Sequence, residues 1–488
     1  MLPFNNLLPI DRRATAPVYQ QIAHGLIHLI RNGILRPGAS LPSSRDMSRQ
    51  LGVHRKTVVA AYQELFAQDW IDTQPRKGVY ISERLPEIKP RSFKATTAKT
   101  NYDQPAQFNF QRFEASSTLR KTATRRLIID DGFPDARMAP IDTLMKTYRR
   151  LAPRQAFHRM SMYGPAAGSE NLRTAIACFL SGTRGISIKA ENVLVSSGAQ
   201  MAIYMAARLV LTPGSTVIVG EPGYFMANRA FEQFGAKLVR VPVDEYGIDV
   251  QAIEKICRKK KPALLYIIPH HHHPTTVTLS ADRRMKLLQL VQQYKLPVIE
   301  DDYDYDFHYS STPILPLASA NHGGNVIYVG SLAKSMASHL RVGYMVATAD
   351  FIEQAGNLKK LAGGRVDNIL EESLAELFSQ GDFHRHLKKS VKLYHERRDL
   401  LSELLQQELG DVVDFDMPDG GMAIWTRFNK KYPLAHIAGF AAARGLLMSD
   451  GSIYNTSGTD HNALRFGFAS LNPKEMEESI SIIKKALC

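Results

Sequence analysis

The stretch NVIYVGSLAKSMASHLRVGYM (residues 325–345) decides the fold of most of this chain. Its opening reads as a short apolar strand. Lys334 follows directly, flanked by Ser331, Ala333 and Ser335. A lysine in a wet loop needs no explanation. At the end of a buried strand, however, small neighbours leave room for a bulky group on the amine, and such a lysine can form a Schiff base with an aldehyde cofactor. Arg341, a little further on, is available for a phosphate.

The same rhythm of strand, turn and helix runs through the chain from about Leu127 onward. ENVLVSS, STVIVG, KLVRVPV, ALLYIIP and PVIEDD read as strands. AQMAIYMAARLVL, FMANRAFEQFG and ADRRMKLLQLVQQY read as the helices between them. Short apolar strands alternating with amphipathic helices predict an α/β unit with a mainly parallel sheet covered on both faces. After about residue 351 helices dominate, with strands at GMAIWTRF and ALRFGFA, which predicts a smaller α+β subdomain.

Open sheets of this kind bind ligands at the carboxyl ends of their strands, and further candidates lie there. VIEDDYDYDF (298–307) ends a strand in acids. A buried carboxylate needs a cation, and Asp301 suits a protonated pyridine nitrogen. Tyr303 can hydrogen-bond a ring hydroxyl. SSGAQMA (196–202) offers the amides of Gly198, Ala199 and Gln200 as a phosphate cradle at a helix start. Tyr224, in GEPGYF (220–225), is placed to stack on a ring. Each feature alone is common in α/β proteins; together they point to one site.

This set resembles the fold-type I aminotransferases, over about residues 127–488, with Lys334 in their Ser-x-x-Lys motif. The resemblance implies pyridoxal 5′-phosphate as cofactor, with Lys334 as its covalent anchor and Asp301 on its ring nitrogen. MYGPAAGSENLR (162–173) resembles the family stretch whose tyrosine, here Tyr163, reaches the phosphate of the neighbouring subunit, which implies a homodimer. ALRFGFA matches the strand that carries the substrate-carboxylate arginine, so Arg465 is the candidate.

IIPHHHHPTT (267–276) invites a metal reading. On an extended segment successive side chains alternate, so four adjacent imidazoles cannot face one ion, and no metal site is expected. His271 and His273 are expected on one side. In the resemblance His273 takes the place of an asparagine that bonds the ring hydroxyl. Two residues after Tyr224, where some amine-sensing relatives carry arginine, stands Met226.

Residues 1–82 have another character. PVYQQIAHGLIHLIRNGIL predicts a helix with Val18, Ile22, Leu26, Leu29 and Ile30 on one face, stopped by Pro37 and Gly38. Ser43 or Ser44 caps the next helix, Gly52 breaks it, and a third begins with His54, Arg55, Lys56 and Thr57 outward. WIDTQPRKGVYI (70–81) reads as two strands around Arg76 and Lys77. This is the order of a winged helix-turn-helix, and it resembles GntR-type regulators through G-x-L-x-P-G-x-x-L-P-S-S-R-D and L-G-V-x-R-x-T-V-x-x-A-Y. The resemblance implies that Arg45, Arg55, Thr57 and the wing face double-stranded DNA. Residues 83–126 read as a polar, basic linker. A winged helix joined by a linker to an aminotransferase-like domain resembles the MocR subfamily of GntR regulators. That implies a head-to-tail dimer sensing the cofactor or an amino compound. The alternative is a working aminotransferase with an appended DNA-binding domain.

Composition agrees. The 488 residues carry a net charge of +14, which suits an anionic partner such as nucleic acid. Three separated cysteines, Cys178, Cys257 and Cys488, make no disulfide framework and suit the cytoplasm. No long apolar run predicts a membrane span.

Overall fold

In the computed structural model, the described residues are 2–12, 14, 16–74, 78–85, 105–106, 108–110, 127–152, 164–310, 314–363, 367–455 and 458–487. Two compact units partition the chain, one within residues 1–112 and one within 113–488.

In the N-terminal unit the helix Val18–Arg31 buries Ile22, Leu26, Leu29 and Ile30 in a core shared with Val58, Ala61, Tyr62 and Leu65 of the helix Arg55–Ala67. Each such aliphatic side chain contributes about 1.5–3 kcal/mol on full burial. The first helix stops earlier than Pro37: it ends at Arg31, because Gly33 turns left-handed at φ 72°. The Gly33 N–H then donates to Ile30 O and the Ile34 N–H to Leu29 O, closing the helix end. Ser43, rather than Ser44, caps the helix Ser44–Leu51. The strands Ser40–Leu41, Gly78–Ile81 and Ile71–Gln74 form an antiparallel sheet in that spatial order. A short helix, Phe4–Leu7, also joins this core through Phe4 and Leu8.

The C-terminal unit is built on an eight-stranded sheet. Its spatial order is Val193–Ser196, Gly343–Val346, Val326–Ser331, Val298–Asp301, Leu264–Ile267, Thr216–Glu221, Lys237–Asp244 and Gly247–Ile248. The strands from Val326–Ser331 to Lys237–Asp244 pair in parallel. Gly343–Val346 runs antiparallel to both of its neighbours. Val193–Ser196 therefore points the same way as the parallel set, and its carboxyl end joins theirs along one edge.

The smaller sheet, Val413–Phe415, Ala423–Phe428 and Ala463–Gly467, is antiparallel. Its core partners include Leu401 and Leu405 of the long helix Asp382–Leu409 and Met476, Ile480 and Ile483 of the helix Pro473–Lys485. Leu127–Ile128 pairs in parallel with Leu446–Leu447, and Leu127 shares the core of the smaller sheet. Among the described residues no helix is long and apolar enough to cross a membrane.

Candidate functional site

The carboxyl ends of the strands converge on a cavity of about 230 Å³. Its wall includes Gly198, Ala199, Gln200, Tyr224, His273, Asp301, Tyr303, Ser331, Lys334 and Arg341. Of the cofactor-site residues anticipated from sequence, only Tyr163 lies outside the described residues. The volume sits just under the range of about 300–1,000 Å³ for drug-sized ligands, which suits a single substituted ring.

Lys334 lies in the short helix Leu332–Ser335 that follows the strand Val326–Ser331. Its Nζ donates to Gly132 O at 2.7 Å and stands 4.1 Å from the Phe133 ring centre. Burial pulls this ammonium below its usual pKa, against the opposing charge of Asp131, so the amine is easier to deprotonate and more nucleophilic.

Asp301 is buried at its strand end, and its Oδ2 accepts from the Tyr266 hydroxyl at 2.8 Å. Its Oδ1 is buried with no hydrogen-bond partner among the described residues. Burial pushes this carboxyl up to about 7, more than the Tyr266 hydrogen bond lowers it. A protonated ring nitrogen in the cavity would supply the missing partner. That orphaned oxygen fits a pyridinium.

The cradle has its own geometry. Gly198 sits at φ 97° and caps the helix Ala199–Val210, whose first N–H groups have no intrahelical acceptor. A Cβ on Gly198 would stand 3.4 Å from the Arg341 guanidinium, which donates to Ser197 O at 3.3 Å. Amides and guanidinium thus share one corner, suited to a phosphate. Gln200 turns its side chain away, donating to Met226 O at 3.1 Å.

The histidine run is not extended. His271 takes φ 46°, and that left-handed turn breaks the alternation. His271 and His273 therefore do not point the same way. His271 Nδ1 pairs with Asp304 at 3.0 Å, whereas His273 lines the cavity and contacts the Tyr224 ring edge-on at 5.0 Å between centres. His270 Nδ1 pairs with Asp302 at 3.1 Å, and His272 Nδ1 with Thr275 Oγ1 at 2.9 Å. The first two histidines thus engage alternate acids of DDYDYD and leave Asp301 and Tyr303 for the cavity.

Asp131 was not singled out from sequence, yet Arg465, His273 and Tyr454 all gather on it. Its Oδ1 lies 2.9 Å from Arg465 Nε and accepts from the Tyr454 hydroxyl at 2.9 Å. Its Oδ2 lies 2.7 Å from His273 Nε2. Burial raises this carboxyl's pKa, but His273 and Arg465 outweigh it and hold the group below the usual carboxylate range. Arg465 reaches the Pro274 carbonyl and the Tyr303 hydroxyl with its remaining nitrogens, at 3.3 and 3.4 Å. The Tyr303 hydroxyl in turn donates to His271 O at 3.1 Å.

In the N-terminal unit Arg45, His54, Arg55 and Lys56 are exposed and Thr57 is half-buried. Gly52, at φ 61°, makes the turn between the two helices. His54 caps the second by accepting from the Lys56 N–H, and Arg55 Nε donates to Ser44 Oγ at 3.2 Å. Arg76 and Lys77 lie outside the described residues.

Residues 133–483 match the family described as aminotransferase class I and II, and residues 18–81 match bacterial regulatory proteins of the gntR family. The probable rhizopine catabolism regulatory protein MocR of Rhizobium meliloti is 27% identical over 98% of this chain and 96% of its own length. The HTH-type pyridoxine biosynthesis transcriptional regulator PdxR of Corynebacterium glutamicum is 28% identical over 95% of each chain. Among solved structures, LysN of Thermus thermophilus, an α-aminoadipate aminotransferase, superposes with a TM-score of 0.68 at 26% identity, over 74% of this chain and 92% of its own.

Proposed function

Because the chain belongs to the aminotransferase class I and II family, within the MocR subfamily of GntR regulators, we propose that it is a DNA-binding transcriptional regulator. In this reading its C-terminal unit holds pyridoxal 5′-phosphate and responds to it or to an amino compound. The observation that carries the reading is the pairing, in one chain, of an exposed basic helix start at Arg55 with a cavity lined by both Lys334 and Asp301, one oxygen of which has no hydrogen-bond partner among the described residues.

When bound, the cofactor supplies an aldehyde and an electron-poor ring. Lys334 would hold it covalently and Asp301 Oδ1 would accept from the ring nitrogen. The amides from Gly198 to Gln200, with Arg341 and Ser331, would hold the phosphate. Tyr224 would flank the ring, with Tyr303 and His273 near its hydroxyl. Tyr163 of a second copy would complete the phosphate site in a homodimer. On the DNA side, Arg45 and the wing residues Arg76 and Lys77 would neutralise phosphates, and Arg55, with His54, Lys56 and Thr57 beside it, would read base edges. An effector shifts the regulator only through unequal affinity for its two states.

Footprinting on the chain's own upstream region, with and without pyridoxal phosphate, tests this. Protection that changes with the cofactor is the expected result; absence of binding to any operator-like DNA would sink it. A second reading, a working transaminase, is favoured by Lys334, Asp301 and Tyr303 sharing one cavity, and multiple turnover with a 2-oxo acid would support it.

A further inference from the structure

Asp131 and Arg465 form a closed pair on the substrate side of the cavity. Arg465 is 2% exposed, and Asp131 is the one carboxylate paired with it among the described residues. Asp131 itself is 35% exposed as a side chain and forms part of the cavity wall beside Lys334. His273 and the Tyr454 hydroxyl hydrogen-bond its carboxylate, and the Arg465 guanidinium lies against it as an ion pair.

The backbone beneath it is fixed. Asp130 Oδ1 accepts the N–H groups of Gly132 and Phe133 at 2.9 Å each, and Asp130 Oδ2 accepts from Ser470 Oγ at 2.6 Å. Gly132 packs so closely on the strand Ala423–Phe428 that a Cβ there would stand 3.3 Å from Ala423 Cβ and from the Met422 carbonyl carbon. Asp131 therefore cannot withdraw with its backbone. A carboxylate on a ligand reaching for Arg465 would meet a fixed like charge at short range.

We propose that Asp131 is a specificity-determining residue that occupies the carboxylate position at Arg465, so that the cavity takes primary amines lacking an acidic group at that end and turns away amino acids. This rests on the reading of the cavity as a site for pyridoxal phosphate and an amino compound. An uncharged or amide-bearing end gains a hydrogen-bond acceptor in Asp131, where an acid gains repulsion.

Two matched pairs test it: alanine with alaninamide, and β-alanine with β-alaninamide. Each pair differs in one charge at nearly constant size. Titrated calorimetrically into the cofactor-loaded full chain, the amides should bind at least about tenfold more tightly than the acids, the size of effect expected where like charges meet. Asp131→Asn should reverse the order. Equal or tighter binding of the acids by the wild-type chain overturns the proposal, and that comparison needs no variant. An acid-to-amide ratio unchanged in Asp131→Asn also overturns it.

A second arm separates failure of this proposal from failure of the cofactor reading. Propionate and propionamide are titrated into the cofactor-free chain. Asp131→Asn should gain at least about tenfold affinity for propionate and none for propionamide. If propionate binding is the same in both chains, Asp131 does not guard Arg465, whether or not pyridoxal phosphate binds.

Discussion

The Tyr266 hydroxyl donates to one oxygen of Asp301 at 2.8 Å and leaves the other buried with no partner among the described residues. The two oxygens of one carboxylate thus have different tasks. One fixes the side chain against the neighbouring strand, and the other is free for a cation.

Replacing Asp301 by Asn should weaken pyridoxal phosphate binding ten- to hundredfold, corresponding to about 1.5–3 kcal/mol for a hydrogen bond to a charged group. Absorbance titration of the yellow complex checks this. The cofactor-free protein adds a pH test. The Asp301 carboxyl is pushed up to about 7 by burial, so its folded pKa lies above the unfolded value of about 3.9. Its contribution to stability is therefore fully present below the unfolded value and lost as pH rises through about 7. Relative to Asp301→Asn, the wild-type Tm should fall over that window. Glu300, pushed up to about 8, acts in the same direction in both proteins and cancels in the comparison.

Lys334→Ala should abolish covalent retention of the cofactor. After borohydride reduction and denaturation, the wild-type chain should carry the added mass on the peptide containing Lys334, and the variant should carry none. DNA affinity without cofactor should be unchanged, because the described partners of Lys334, namely Gly132, Phe133 and Tyr303, belong to the C-terminal unit.

Gly343→Ala should damage the phosphate corner without touching Lys334. A Cβ at this position would lie 2.6 Å from the Gly198 carbonyl carbon and 2.7 Å from the Ala199 nitrogen, both backbone atoms. Overpacking of this kind costs about 1–3 kcal/mol. Thermal unfolding should show that loss, and titration should show weaker cofactor binding with Lys334 attachment retained.

On DNA, Arg55→Ala should cost about 1–3 kcal/mol on the specific site and relax preference at one base position. Arg45→Ala should instead weaken binding to all sequences and lower the salt dependence by about one ion. Binding isotherms at several salt concentrations distinguish the two. A melting curve of Arg55→Ala controls for loss of its hydrogen bond to Ser44 Oγ.

The parallel strands and the residues of the cavity wall were legible because apolar runs ending in Gly, Asp or Ser carry their own period. The strand Gly343–Val346 was not read, because four residues beside the Lys334 loop show no alternation when both faces are buried. The end of the first helix was misplaced because Gly33 acts before Pro37 does. The histidine run misled through its assumed extended backbone, which the left-handed His271 overturns. Asp131 escaped notice because IIDDGFPD reads as a turn, and Arg465, its partner, lies on a distant strand. The signal available was a pair of acids directly after an apolar strand.

The parallel pairing of Leu127–Ile128 with Leu446–Leu447 moors the incoming chain a few residues before Gly132, whose carbonyl holds the Lys334 amine. An occupant bonded to that amine would take it from the Gly132 carbonyl, while the Asp130 carboxylate keeps its hold on the Gly132 and Phe133 N–H groups.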